Sequence, residues 1–164
     1  MVKEAEYHDA MMRMLELIWG EGFMAPGGTA VADDLVRGLD LRGKCVLDIG
    51  SGLGGPACHL AEQHRAQVTG IDIEPQLVRQ SRQRAEARNL LNRVSFLLVQ
   101  PGSLPFPDAS FDLIVSAGAF TQIADKHELF AECLRILKPG GAMRNFDWTT
   151  TLPSPSDELR YFFE

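Results

Sequence analysis

Two carboxylates and a glycine-rich loop are the residues of this sequence whose types and spacing suit the binding of a charged ligand. Asp48 lies near the end of a short apolar run, residues 44–49, and the glycine-rich loop, residues 50–55, follows at once. Asp72 ends the next apolar run, residues 67–72. Because glycine has no side chain and accepts positive φ angles, such a loop lets a ligand lie directly against the backbone. We therefore expect a ligand site where Asp48, the loop and Asp72 meet.

The loop sequence fits two classes of ligand, and Asp48 separates them. Read from Gly50, GSGLGG matches both the dinucleotide pattern G-x-G-x-x-G and the G-x-G-x-G loop of enzymes that bind S-adenosylmethionine (SAM). A dinucleotide places its pyrophosphate at the N-terminus of the following helix, where a nearby carboxylate would repel it. SAM carries an ammonium and a sulfonium, which a carboxylate attracts. Asp72 fits either ligand, since it can accept hydrogen bonds from ribose hydroxyls. The pattern therefore favours SAM and disfavours an NAD-dependent oxidoreductase.

Four segments resemble the class I SAM-dependent methyltransferases, and they occur in that family's order. They lie roughly between residues 44 and 148 and read VLDIGSGLGG, GIDIEP, LPFPDASFDLIVS and LRILKPGGAM. Within the family the chain is most similar to phosphoethanolamine and small-amine N-methyltransferases, through Tyr7, the LIWGEGFMAPGG segment (residues 17–28) and GSGLGG. The resemblance implies methyl transfer from SAM to a small molecule, with a small amine metabolite favoured and S-adenosylhomocysteine (SAH) as the product.

The alternation of apolar runs and helical patterns, together with the resemblance, predicts an α/β fold. We expect a doubly wound, Rossmann-like parallel sheet of order 3-2-1-4-5 with an N-terminal helical cap. Residues 1–40 would form the cap and a lid loop, and residues 41–164 the SAM-binding domain. The family fold ends in a β-hairpin for which the residues after Trp148 are too few, so the hairpin is expected to be missing. Three interpretations stay open: the chain is a piece of a longer enzyme, a homodimer or a partner covers the fifth-strand edge, or the protein is shortened.

Local patterns set the expected boundaries of several elements. A helix is predicted over residues 29–39 with Thr29 as its N-cap, and another over residues 125–137. The Lys138-Pro139-Gly140-Gly141 run is expected to end that second helix. The fifth strand is predicted over residues 142–148, near a sheet edge because it is polar, and a final helix after residue 154.

The resemblance also implies which residues would hold the cofactor. They lie in the lid, at the strand ends and in the loops that follow: Met24, Asp48, Gly50, Ser51, Gly52, Gly54, Asp72, Ile73, Gln100, Pro101, Ser116 and Ala117. Gln100 stands where the family has an acid that binds the adenine amino group, and its side-chain carbonyl can still accept that hydrogen bond. Tyr7 is expected to close over the cofactor and the acceptor amine, and His8 is kept as a candidate catalytic base.

The segment after the fourth predicted strand departs from the nearest relatives. Where phosphoethanolamine methyltransferases carry an arginine, an acid and a catalytic histidine, this chain has Ala117, Gly118 and Gln122. An amide does not titrate in a useful range, so Gln122 cannot serve as a base. Methyl transfer to a neutral amine depends mainly on alignment and exclusion of water, so activity remains the expectation. The alternative is a SAM-binding pseudo-enzyme or a regulatory module that acts on a partner.

The composition limits the remaining classes. The 164 residues suffice for one domain, and a net charge of −6 supplies no basic stripe for nucleic acid. No apolar stretch reaches membrane-spanning length and no signal-peptide pattern occurs, so a cytoplasmic protein without a membrane partner is expected. Cys45, Cys58 and Cys133 are expected to be free thiols. No metal site is expected, because His59 and His64 miss the i, i+4 spacing of paired helical ligands.

Overall fold

The computed structural model describes residues 7–149, which are built around one parallel β-sheet. The strands hydrogen-bond in the order 3-2-1-4-5, so the predicted Rossmann-like order is confirmed. They are β1 Cys45–Ile49, β2 Gln67–Asp72, β3 Val94–Leu98, β4 Phe111–Ala117 and β5 Leu137–Phe146. Every neighbouring pair is parallel, which brings the carboxyl ends of all strands to one edge of the sheet.

Helices cover both faces of the sheet. They are α1 Asp9–Trp19, α2 Gly28–Leu35, α3 Gly55–Gln63, α4 Pro75–Ala87 and α5 Lys126–Ile136. Residues of α2, α3 and α4 pack in one apolar cluster with the sheet, and residues of α5 pack in a second. Helix α1 lies apart from both, where its Met12 packs against Leu53 and Leu77. The predicted N-terminal helix is therefore present, at the carboxyl edge of the sheet.

Strand β1 shows why the sheet is apolar along its centre. Val46 points into the cluster with α2, α3 and α4, whereas the adjacent Leu47 points into the cluster with α5. Both side chains are fully buried. Because successive strand residues face opposite sides, a central strand covered on both faces has no position left for a polar residue. Asp48 is the exception, and it lies at the carboxyl end where the site forms.

Two boundary predictions are corrected by the structure. Helix α2 begins at Gly28 with a left-handed Gly27 before it, so Thr29 is not the N-cap, and the helix ends at Leu35. Helix α5 ends at Ile136 and strand β5 begins at Leu137, so residues 138–141 lie within the bounds of the strand, where Gly140 has a positive φ of +79°. A register shift in the pairing with β4 accommodates this run, and Lys138 Nζ donates to Asp112 Oδ2 at 2.7 Å.

The outer side of β5 pairs with no other strand among residues 7–149, in agreement with its expected edge position. That another chain covers this edge stays a prediction. The final helix predicted after residue 154 lies outside the described residues. Within the described part of the chain, no helix combines the length and the apolar character that crossing a bilayer requires.

Gly54 immediately precedes α3, in a left-handed conformation with φ of +83°. A Cβ placed there would lie 2.7 Å from the ring of Phe96 and 2.9 Å from Ser81 Cβ. Gly38 has a similar φ of +79°, but a Cβ there would meet nothing within 4 Å. Both positions therefore favour glycine for its positive φ, but only Gly54 also lacks the space for a side chain.

We expect Gly38→Ala to lower the free energy of unfolding by about 1–2 kcal/mol, the cost of placing alanine in a left-handed conformation. Gly54→Ala should cost about 1–3 kcal/mol more, because the new methyl group also overpacks the Phe96 contact. Urea unfolding at equilibrium measures both values. Equal losses in the two variants would contradict the packing role assigned to Gly54.

Candidate functional site

A cavity of about 630 Å³ lies at the carboxyl edge of the sheet, bounded by α1, the ends of β1, β2 and β4, and the start of α5. This volume falls within the usual range for a small-molecule site. The floor of the cavity carries almost no side chains, since it is formed by residues of the glycine loop and of the segment after β4: Gly50, Gly52, Ala117, Gly118 and Ala119. A ligand can therefore lie against backbone over much of its length.

Asp72 joins the glycine loop to the end of β2. Its Oδ2 accepts a hydrogen bond from the Gly52 amide at 2.8 Å, and its Oδ1 accepts one from the Glu74 amide at 3.0 Å. Burial raises the pKa of this carboxyl, while the backbone hydrogen bonds oppose the rise. Each carboxylate oxygen has a further lone pair, and Asp72 lines the cavity. The arrangement suits a ligand with two adjacent hydroxyl groups, such as a ribose.

Asp48 occupies a different position from the one predicted. Its side chain does not line the large cavity but a chamber of about 30 Å³ behind it, together with Ser51. Among the described residues, neither Asp48 Oδ2 nor Ser51 Oγ has a hydrogen-bond partner. Burial, and then the nearby charge of Asp72, raise the pKa of Asp48 to about 7. A chamber of this size has room for a water that would connect Asp48 to a ligand in front of the loop.

The predicted lid loop, residues 20–27 between α1 and α2, is joined to the glycine loop by a backbone hydrogen bond. The Gly55 amide donates to the Gly22 carbonyl at 2.9 Å, and the Gly22 amide donates to Glu16 Oε1 at 2.7 Å. Arg84 adds hydrogen bonds to the Glu16 carboxylate and the Leu53 carbonyl. The amide at the start of α3 is therefore already satisfied by the protein. This disfavours the placement of a pyrophosphate there, which a dinucleotide would need.

Of the predicted cofactor residues, the structure brings most to the large cavity. Those that line it are Met24, Gly50, Gly52, Asp72, Ile73, Gln100, Pro101 and Ala117. Gly54 does not line it, because it packs on Phe96. Ser116 does not line it either, because its side chain is fully buried and its Oγ donates to the Ile49 carbonyl at 2.8 Å. Each of these two residues faces the protein interior, and their contact with the cofactor stays a prediction.

Of the two predicted catalytic residues, only Tyr7 lines the cavity. Its hydroxyl donates to Gln122 Oε1 at 3.3 Å, which links the segment before α1 to the short 3-10 helix Phe120–Gln122. His8 caps α1 instead, and its Nδ1 accepts from the Met11 amide at 3.2 Å. His8 is exposed and absent from the cavity wall, so the geometry does not support it as a base.

The sequence analysis missed much of the cavity wall. The apolar part comes from α1, α4 and the region around α5, and includes Met11, Leu15, Leu77, Ile123 and Leu129. Met11 and Leu15 belong to the apolar stripe of the first helix, a signal that indicates burial without saying what the stripe faces. The charged part is acidic and consists of Asp72, Glu74, Asp125 and Glu128. Among the described lining residues there is no lysine, arginine or histidine.

A second cluster of polar side chains lies outside this cavity. His59 Nε2 and His64 Nε2 lie 2.7 Å and 2.8 Å from Asp33 Oδ1. The sequence analysis considers only the spacing of the two histidines, whereas the structure shows that α2 brings Asp33 against both of them. Hydrogen bonds from His64 and His59 hold the pKa of Asp33 below its usual value, and the two imidazolium charges would reinforce this.

The sheet order, the glycine loop and the acid at the end of β2 are all compatible with a class I SAM-dependent methyltransferase. The chain belongs to the family described as methyltransferase domain, whose sequence model matches residues 47–144. The predicted family and fold are thereby confirmed, and SAM is the cofactor of that family.

Known relatives act on several kinds of acceptor. Phosphoethanolamine N-methyltransferase of Triticum aestivum is 33% identical over 150 residues, which are 91% of this chain and 29% of that enzyme. The 27-O-demethylrifamycin SV methyltransferase of Amycolatopsis mediterranei is 32% identical over 161 residues, covering 91% of this chain and 59% of that enzyme. The relatives therefore include N- and O-methyltransferases, and the chain spans less than a third of the length of the first.

A solved structure matches nearly the whole chain. Phosphoethanolamine N-methyltransferase 2 of Haemonchus contortus, in complex with phosphomonomethylethanolamine and SAH, superposes with a TM-score of 0.88 at 27% identity. The match covers 97% of this chain and 38% of that protein. This likeness extends to α1 and the lid loop, which lie outside residues 47–144.

Replacing Asp48 by Asn removes a buried carboxyl whose pKa is raised from 3.8 to about 7. Since the folded protein holds this proton more tightly than the unfolded chain, the Asp48 carboxyl contributes a loss of stability as the pH rises from about 4 to 7, of about 1.4 kcal/mol per pH unit. We expect Asp48→Asn to lack this loss. The free energy of unfolding of the variant minus that of the wild type should therefore rise with pH up to about 7 and stay constant above it. Urea unfolding of the ligand-free protein across this range measures the difference.

The control for this experiment is Glu86→Gln, which removes an exposed carboxylate of α4. Its stability should follow the pH profile of the wild type. If Asp48→Asn also follows that profile, the raised pKa of Asp48 is refuted.

Proposed function

We propose that this chain is a SAM-dependent methyltransferase that transfers a methyl group to the nitrogen of a small amine. The observation that carries the proposal is the junction of Asp72 with the glycine loop on the floor of a cavity large enough for a cofactor and a small acceptor. Family membership gives the reaction class, and the acidic cavity wall supports a cationic or basic acceptor.

Individual residues suit different parts of the cofactor. Asp72 would accept hydrogen bonds from the ribose hydroxyls, and Ile73 and Pro101 offer apolar surface to the adenine. Gln100, which is exposed at the cavity wall, would accept from the adenine amino group. At the opposite end Gly50 and Gly52 leave backbone room for the methionine part, with Asp48 behind them as the anion for its ammonium group. The unpartnered Asp48 Oδ2 supports this assignment, because a buried polar atom without a partner is costly unless a ligand or water satisfies it.

The acids of the cavity wall suit an amine better than an anion. Glu74, Asp125 and Glu128 line the cavity together with Asp72, so a small amine would be attracted while a free phosphate would be repelled. When bound, SAM supplies an electrophilic methyl group on its sulfonium. Tyr7 and Gln122 would position the amine nitrogen and exclude water, since neither offers the basic strength of a histidine. The amine would therefore have to give its proton to solvent before it attacks the methyl group as the neutral base.

We expect the 164-residue chain to bind SAM and SAH with micromolar dissociation constants and to give no signal with NAD.

Substitutions of Gln100 test the proposed contact with the adenine. Gln100→Ala should weaken SAM binding about threefold to tenfold, the net value of one hydrogen bond. Gln100→Glu should tighten it, because a charged acceptor makes a stronger hydrogen bond. Isothermal titration calorimetry measures all three proteins. Equal affinity for SAM in the wild type and both variants would show that Gln100 does not contact the cofactor. A wild-type protein that binds NAD but not SAM would overturn the proposal.

We expect Tyr7→Phe and Gln122→Ala each to lower kcat/KM for an amine acceptor, by about threefold to tenfold, because each removes the hydrogen bond across the cavity. The double variant should lose little more than either single one, since both changes delete the same interaction. Formation of SAH from SAM, assayed against a panel of small primary and secondary amines, measures the rates. Additive losses would show that the two residues act separately.

One result would favour the alternative function. If SAM binds tightly and none of the amines is methylated, the chain would act as a SAM-binding module without turnover. The observation behind this alternative is that the described cavity wall offers no histidine or lysine to take a proton.

A further inference from the structure

Three ligand-type side chains converge on the outer side of the contact between α2 and α3. Asp33 belongs to α2, His59 to α3, and His64 is the residue at which α3 ends. Both imidazole Nε2 atoms lie within 2.8 Å of Asp33 Oδ1, and the ligand atoms of the three residues all lie within 4.8 Å of one another. His59 and His64 are five positions apart, and the turn that ends α3 places their ring centroids 6.0 Å apart.

We propose that Asp33, His59 and His64 form a binding site for a divalent transition metal of the Zn²⁺ type. Two imidazole nitrogens and one carboxylate oxygen are a three-ligand set that Zn²⁺ takes in proteins, with water in the fourth position. Mg²⁺ and Ca²⁺ prefer oxygen ligands throughout, so two imidazoles disfavour them. This inference is independent of the proposed function, because none of the three residues lines the large cavity.

The distances require only a small adjustment. Ligand atoms at about 2.0–2.2 Å from a tetrahedral Zn²⁺ would be about 3.4 Å apart, somewhat more than the present hydrogen-bond distances. The side chains can move by this amount, because the exposed fractions are 52% for Asp33, 27% for His64 and 13% for His59. The same exposure gives a metal ion access from solvent and leaves room for the water ligand.

The position of the cluster gives the metal a structural effect. Helix α2 follows directly on the lid loop, and α3 follows directly on the glycine loop. A metal bound to Asp33 and both histidines would connect these two helices by coordination bonds in place of hydrogen bonds. The contact between α2 and α3 would then be more resistant to opening, which thermal unfolding can detect without any assay of activity.

The test is titration of the metal-free, EDTA-treated 164-residue chain with Co²⁺ and Zn²⁺. We expect Co²⁺ to produce the intense visible absorption of a tetrahedral site, Zn²⁺ to displace it, and Zn²⁺ to raise the Tm. His64→Gln should weaken binding by more than about tenfold, since even outer-shell changes cost that much, and should remove the Tm increase. The matched control is His127→Gln, which changes an exposed histidine of α5 and should behave as wild type.

Asp33→Asn provides a second variant at a more exposed position, and circular dichroism establishes that each variant is folded. It keeps a hydrogen-bond acceptor for the two histidines and removes only the charge, so we expect a folded protein with metal binding weakened at least tenfold. Absence of tetrahedral Co²⁺ absorption in the wild type would overturn the proposal. So would binding that is lost equally in His127→Gln, or that survives unchanged in folded Asp33→Asn and His64→Gln.

Discussion

The hydrogen bond from the Gly52 amide to the Asp72 carboxylate is the interaction on which the rest of the site depends. It joins the loop after β1 to the end of β2, two elements that the parallel pairing of the strands already brings together. The bond requires Gly52 to adopt a positive φ of +52°, which is costly for a residue with a side chain. Because the loop is fixed in this way, the floor of the cavity is bare backbone and the Asp72 carboxylate is turned towards the ligand.

The ligand-free site is electrostatically unfavourable, and this property follows from its acids. Asp48 is buried without a partner among the described residues, and the charge of Asp72 opposes its ionisation. Further acids line the cavity, with no basic side chain described there to balance them. A cationic ligand would relieve this repulsion, whereas a phosphate would add to it. The acids of the whole cavity, and not only those beside the glycine loop, would therefore favour the proposed cationic ligand.

The sheet and the floor of the site could be predicted from the sequence, because their signals are local. Short apolar runs that end in glycine or in Asp72 indicated the strands, the resemblance implied their order, and the loop together with Asp48 indicated the ligand class. The inward orientation of Gly54 and Ser116 could not be predicted, because a motif does not say which way each residue faces. Strand register and the packing of Phe96 decide that. The cluster of Asp33 with two histidines was missed because it joins different helices, and no sequence spacing records that contact.

The contrast between a floor without side chains and walls of long side chains has a consequence for how this domain can evolve. Gly50, Gly52 and Gly118 offer few ways to change, because each has positive φ, and at each an added Cβ would meet a neighbouring side chain. Met11 and Leu15 project from a helix surface and can be exchanged without moving the sheet. Selection for a new methyl acceptor can therefore act on the walls while the donor site stays constant, which fits relatives that methylate molecules as different as phosphoethanolamine and a rifamycin.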